Sequence, residues 1–312
     1  MHWLKTTRRL ASILVIVAVG AADQATAAVF RYRQSGDWSA VTDGSSPGWG
    51  LNPNNDGVTP GPGLPGAGDD ARINFGNNTV SVTTAVPAVN RVQIGVDESG
   101  VVEVNSGGVL TTVTDLLAGN NNSNATGSLV VMNGGAVEVG RILWAANGSS
   151  NGTIDVEAGG TITADSHFWW GVTGTATISI SGTISQTGGI LGLGTDNAST
   201  PTGGAATVDI LDGGLLSLFN ISSAAGLPSI QDGSSINIEG SGELTLPGDF
   251  VGVLTDYANA NKIGAKGVLG MSNLAIDLTR NPGFTTAYAI PEPTGLLLAS
   301  FAASVALGIR RI

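Results

Sequence analysis

Three kinds of side chain in this 312-residue sequence have types and spacings that chemistry uses: a serine framed by glycines, pairs of carboxylates, and a short run of tryptophans. Gly44-Ser45-Ser46-Pro47-Gly48 spells the Gly-x-Ser-x-Gly frame of a hydrolase nucleophile. Pro47, however, follows the serine where the oxyanion hole needs a backbone N–H, and proline has none. His167 is the only histidine beyond residue 27, and nothing in the sequence ties it to Ser46. Asn52-Pro53-Asn54-Asn55-Asp56-Gly57 copies half of a calcium loop but lacks the opening Asp, and Gly63 stands where the bidentate Glu belongs. Low-affinity calcium binding is the most it implies, and no cofactor or metal centre is expected. Asp69-Asp70 and the pair Asp209/Asp212 read as turn caps or solvated faces.

Two carbohydrate chemistries can be weighed. A uronate lyase needs cations to neutralise the substrate carboxylate, yet residues 96–250 hold a single basic side chain, Arg141. Hydrolysis needs two carboxylates at a set separation, and among the acidic residues of that span no pair stands out. Catalytic residues are therefore expected to be none. Trp144, Trp169 and Trp170, with Phe168, recur at equivalent places in successive repeats. Flat aromatic faces pack against the C–H faces of sugar rings, so Trp144 and Trp170 are read as candidates for an exposed glycan-stacking strip. The competing reading puts them in an internal stack, where Leu117 and Leu191 stand in neighbouring repeats.

The elements that must position these residues come from composition and repeats. The sequence has no cysteine, 47 glycines and a net charge of −11. Disulfides are excluded, and nucleic acid is a poor partner for so acidic a chain. Short alternating strands flank a glycine corner in GVVEVNSGGVLTT (from Gly100), GSLVVMNGGAVEV (Gly127), GTIDVEAGGTITA (Gly152), GTATISISGTISQ (Gly174), GAATVDILDGGLLSL (Gly204) and SSINIEGSGELTL (Ser234). A third apolar element appears as DLLAG, ILWAA, FWWGV and ILGLG. The reading is all-β: a right-handed parallel β-helix, three strands per coil, with pairs such as Leu129/Val131 and Ile178/Ile180 pointing inward. A sandwich or barrel is the alternative. Residues 96–249 form the repeats, 28–95 an N-terminal β-rich cap and 250–290 a C-terminal cap with a helix over Thr255–Lys262.

The termini carry processing signals. Lys5, Arg8 and Arg9 precede the apolar run Leu10–Ala22, and Ala25-Thr26-Ala27 supplies small residues, so residues 1–27 read as a signal peptide cut before Ala28. At the other end Pro291-Glu292-Pro293 precedes the apolar run Thr294–Ile309 and the pair Arg310-Arg311. As a helix that run would reach about 24 Å against a hydrocarbon core of about 30 Å, so one transmembrane helix with snorkelling arginines is expected. This order resembles the PEP-CTERM sorting signal of Gram-negative bacteria. The resemblance implies signal peptidase and an exosortase as partners, transient tethering to the inner membrane through the tail, and then an outer-envelope, cell-surface or extracellular place linked to exopolysaccharide. The repeats resemble, more loosely, autotransporter-like and pectin-lyase-like β-helical bodies. The expected function is a non-enzymatic structural or adhesive surface protein; the alternative is a carbohydrate-binding or polysaccharide-degrading β-helix.

Overall fold

The computed structural model describes residues 28–32, 35–39, 48–51, 63–74, 77–120, 125–196, 202–225 and 228–292. They form a parallel β-solenoid of three sheets with capping elements at both ends. The first sheet runs Leu191–Leu193, Phe168–Trp170, Leu143–Asn147, Leu116–Asn120, Arg91–Ile94, Asp70–Ile73, Val29–Tyr32 and Trp49–Leu51, and only the last pairing is antiparallel. The second sheet stacks rungs from Gly36–Asp37 to Val268–Leu269, and the third from Val109–Thr112 to Glu243–Pro247 with two closing strands.

Period-two alternation explains why these segments are strands and which side they bury. In the second sheet Val80, Val102, Leu129, Ile154, Ile178, Val208, Ile236 and Ile263 lie in register and are at most 1% exposed. Leu110, Val137, Ile162, Ile184, Leu216 and Leu244 form the matching column of the third sheet. No coil buries its apolar face alone; each side chain is sealed by the rung above and below. Removing one such residue to alanine costs about 2–5 kcal/mol.

At four coils the corner between the second and third sheets is a four-residue turn whose last two residues are glycines, whereas the Ser181-Gly182 corner has only two residues. Gly107, Gly134, Gly159 and Gly213 have φ of +81°, +76°, +85° and +77°, a conformation side chains resist. A Cβ on the following Gly108, Gly135, Gly160 or Gly214 would come within 2.0–2.5 Å of a carbonyl oxygen of the preceding coil. Coil-to-coil contact is thus too close there for any other residue.

Ion pairs also link successive coils. Asp70 accepts from Arg91 and from Asn90. Asp115 accepts from Arg141 through Nε (2.8 Å) and a terminal nitrogen (2.5 Å). Hydrogen bonding to Asp115 and its charge raise the Arg141 pKa further above its already high value.

Antiparallel strands blunt both ends, where a parallel stack would otherwise expose a pairing edge. At the N-terminal end Trp49–Leu51 pairs with Val29–Tyr32, and Tyr32, Trp38 and Trp49 meet edge to face at 4.6–5.0 Å in full burial. Burial, then the charge of Asp37, pushes the Tyr32 hydroxyl up to about 12. At the other end the helix Val251–Asn259 plugs the last coil with Leu254, Tyr257 and Ala258. The Tyr257 hydroxyl accepts from the Ser229 N–H and donates to the Ser222 carbonyl, both at 2.8 Å. This helix starts before the expected Thr255, and left-handed Asn261 (φ +56°) closes it before Lys262.

The parallel stacking begins earlier than residue 96, since Val29–Tyr32, Asp70–Ile73 and Arg91–Ile94 are already rungs of the first sheet. The transmembrane expectation is corrected. Among the described residues no helix is long and apolar enough to cross a membrane, and nine residues of helix reach only about 14 Å. The run Thr294–Ile309 lies outside the described residues, as do Pro293, Arg310, Arg311, Ala25 and Ala27. The inner-membrane tether and the localisation built on that helix accordingly find no span among the described residues.

Candidate functional site

Strand parity sorts the aromatic residues of the first sheet. In Phe168–Trp170 the outer two residues point inward and are fully buried, their rings stacked at 5.0 Å with 14° between planes. Trp170 fits because its partner on the preceding coil is only Ala145. Trp169, between them, points outward. So does Trp144, its register partner. The pair that shares the outer face is therefore Trp144 with Trp169, and the expected participation of Trp170 is replaced by a core role.

Trp144 and Trp169 are half-buried, with centroids 4.5 Å apart and planes at 76°. They form a ridge with two differently tilted faces rather than a flat strip. His167, one outward position upstream, stacks on Trp169 at 4.8 Å and 20°. The imidazole is itself anchored, since Nδ1 accepts from the Ile190 N–H at 3.0 Å. On the next coil the partner of Trp169 is Gly192, where a Cβ would stand 3.2 Å from Trp169 Cδ1 and 2.8 Å from the Thr195 carbonyl oxygen. The missing side chain makes room for the indole.

The same outer column continues through Leu117, Gln93, Arg72 and Arg31. Arg72 Nε donates to Gln93 at 2.8 Å, and Arg31 pairs with Asp97 at 3.2 Å. Burial, then the neighbouring Arg31, lowers the pKa of Arg72. Arg31, Gln93 and Leu117 are at most 5% exposed, so this basic end is covered while the tryptophan end keeps its accessibility. Sequence reasoning missed the basic end because it counted cations only from residue 96. The signal was there: Arg91-Val92-Gln93-Ile94-Gly95 has the same shape as Asp115-Leu116-Leu117-Ala118-Gly119.

Around the corner the third sheet opens a cleft of about 280 Å³ across three successive coils, lined by Thr111, Thr112, Glu138, Gly140, Thr163 and Asp165. A second cleft of about 440 Å³, beside the C-terminal cap, is lined by Leu215, Glu243, Asn281 and Phe284. There Glu243 is occupied by Arg280 (2.5 Å) and Asn281 (2.9 Å).

The remaining sequence candidates separate. Asp69 accepts from the backbone N–H groups of Ala28 and Gly66, while Asp70 serves Asn90 and Arg91. Asp212 accepts from the Ser241 N–H and hydroxyl, both at 2.8 Å, whereas Asp209 meets Asn237 at 3.2 Å. Neither pair converges on one point. The half calcium loop at 52–57 and Ser46 lie outside the described residues, among which no group of three metal-ligating side chains occurs. Ala28 precedes the first strand; Pro291 and Glu292 end the described chain, with Glu292 3.4 Å from Lys266.

Comparison with protein-family models, curated proteins and solved structures returns no match and so gives no support to the PEP-CTERM resemblance or to the exosortase and signal-peptidase partners it implied; what is shown is narrower, that the described residues form a parallel β-solenoid.

Proposed function

We propose that this solenoid binds carbohydrate through the outer face of its first sheet. One observation carries the reading: Trp144 and Trp169 stand outward in register on consecutive coils, partly exposed, with Gly192 leaving room beside them. The indoles lie 4.5 Å apart with 76° between their planes, so together they offer an edge-and-face ridge on which a saccharide ring can pack its C–H face. Outward indoles on a soluble face lose hydration cheaply and gain contact with sugar C–H groups. The scaffold supports this use because its strands are pinned above and below, which holds the side chains without cost on binding. Polysaccharide supplies the partner; the reaction, if the glycan is merely held, needs no catalytic group.

The test is affinity electrophoresis of residues 28–292 through gels carrying soluble polysaccharides, with tryptophan fluorescence as a second readout. Retardation by at least one neutral or charged glycan is expected, with Trp144→Ala and Trp169→Ala each weakening it about tenfold, or about 1.4 kcal/mol. Unchanged retardation in both variants would remove this face from consideration.

A further inference from the structure

We infer that the tryptophan ridge is gated by pH through His167: it holds saccharide while the imidazole is neutral and lets go when the imidazole takes a proton. The inference rests on the carbohydrate-binding reading and adds a regulation of that same face. Parity puts His167 and Trp169 on one side of the chain, with the imidazole lying nearly flat on the indole at 4.8 Å and 20°. Little else sets the tilt of Trp169. Its Nε1–H is buried and makes no hydrogen bond. Trp144 meets it edge to face at 4.5 Å, and Gly192, its partner on the next coil, carries no side chain. The orientation of this outer indole therefore depends on the ring stacked against it.

That ring is fixed in turn by one hydrogen bond. Nδ1 accepts from the Ile190 N–H of the following coil at 3.0 Å, and this N–H has no other partner among the described residues. A ring nitrogen that accepts carries no proton, so the imidazole seated here is neutral with its proton on Nε2. The turn is shaped to admit it. Gly189 has φ +72°, and a Cβ there would stand 2.9 Å from His167 Nδ1.

Protonation breaks this arrangement. Both nitrogens of an imidazolium are donors, so Nδ1–H would meet the Ile190 N–H head on, and flipping the ring presents only a carbon. A cation over the partly exposed Trp169 gains less than it costs to leave a part-buried N–H facing a second donor. The charged groups on the surrounding elements are Asp165 on the same turn, Arg141 on the preceding coil with Asp115 one coil further, and Asp196 beside Thr195 on the following coil. Among the described residues none of them forms an ion pair with His167. Asp165 accepts from Thr187 and Asp115 from Arg141. The cation thus swings toward solvent, Trp169 loses its backing, and the ridge loses the shape that meets a sugar ring.

Two readouts on the full chain, from about pH 8 to about pH 5, test the gate; ordinary imidazole changes charge across this range and ordinary carboxylates do not. Tryptophan emission with acrylamide quenching follows the ring, and retardation in gels of hydroxyethyl cellulose, a neutral probe with no charge of its own to titrate, follows binding. A step in emission and quenching is expected, absent from Trp169→Phe, with retardation about tenfold weaker at the acid end. His167→Asn keeps an acceptor for the Ile190 N–H but cannot ionise. Its emission and retardation should be flat with pH, at lower affinity than neutral wild type because the stacked ring is gone. No step in wild type, a step that persists in His167→Asn, a step accompanied by loss of the β signal in far-UV circular dichroism, or equal retardation at both ends overturns the gate and leaves the ridge reading standing. If retardation fails at every pH while the step is present, the gating of binding falls together with the carbohydrate reading, and the step records ring movement alone.

Discussion

Trp169 and Trp170 are neighbours in sequence and opposites in environment. Trp170 lies inside the coil, stacked on Phe168 and fully buried; Trp169 lies outside, stacked on His167 and half-buried. The residue type is the same, and so is the strand. What differs is parity, which sends one indole toward the rungs of the core and the other toward solvent. The lesson is that an aromatic cluster in a solenoid is two populations, one that stabilises and one that is free to bind.

The contrast is tested most severely by Trp170→Ala, which should cost about 3–5 kcal/mol through lost burial and a cavity that the stacked coils cannot close. Trp169→Ala should cost less than about 1 kcal/mol while weakening glycan binding. Chemical denaturation of the two variants reads both numbers, and equal losses would erase the distinction. Next in size is Gly192→Val, which places a branched side chain against Trp169 and the Thr195 carbonyl. Overpacking of about 1–3 kcal/mol is expected, together with a shifted tryptophan emission that Trp169→Phe removes.

Arg141→Ala sharpens the contrast from beneath the ridge. It leaves Asp115, whose side chain is 8% exposed, without its cation. A loss of about 1–2 kcal/mol is expected, reduced because Arg141 itself is largely solvated. Asp115→Ala/Arg141→Ala together should recover part of it, which a double-mutant cycle measures.

The smallest effect concerns acid stability at a solvated corner. Hydrogen bonds from the Ser241 N–H and hydroxyl hold the Asp212 carboxyl below its usual value of 3.8. A depressed folded pKa contributes stability that is complete above the unfolded value and is lost as pH falls through the folded one. Wild type should therefore lose slightly more stability than Asp212→Asn between pH 5 and about pH 3. Parallel loss in the two proteins would show that this carboxylate does not feel its neighbours.

The inward columns were legible in the residues themselves. Val102/Val104, Leu129/Val131, Ile154/Val156, Ile178/Ile180 and Val208/Ile210 alternate with outward residues that are polar except at Val130, and all are at most 1% exposed. The double glycines at 107–108, 134–135, 159–160 and 213–214 announced the corner, because only glycine satisfies both the positive φ and the close carbonyl. The aromatic run was visible too, but its division into inner and outer members was not. Reading Trp144 with Trp170 placed the register one residue away from the observed pairing with Trp169, which turns the side chain to the other face.

The sequence by itself determined that this chain stacks short strands around glycine corners, since period two and positive φ are local properties that need no distant partner. Only the tertiary structure decided which side chains of different coils meet. Coils differ in length, with the segment 121–124 and its counterparts inserted between rungs, so register depends on backbone pairing across the stack. That pairing set Trp144 beside Trp169 and brought Arg31 and Arg72 under one face. Convergence of this kind is a property of stacked rungs, and no single repeat contains it.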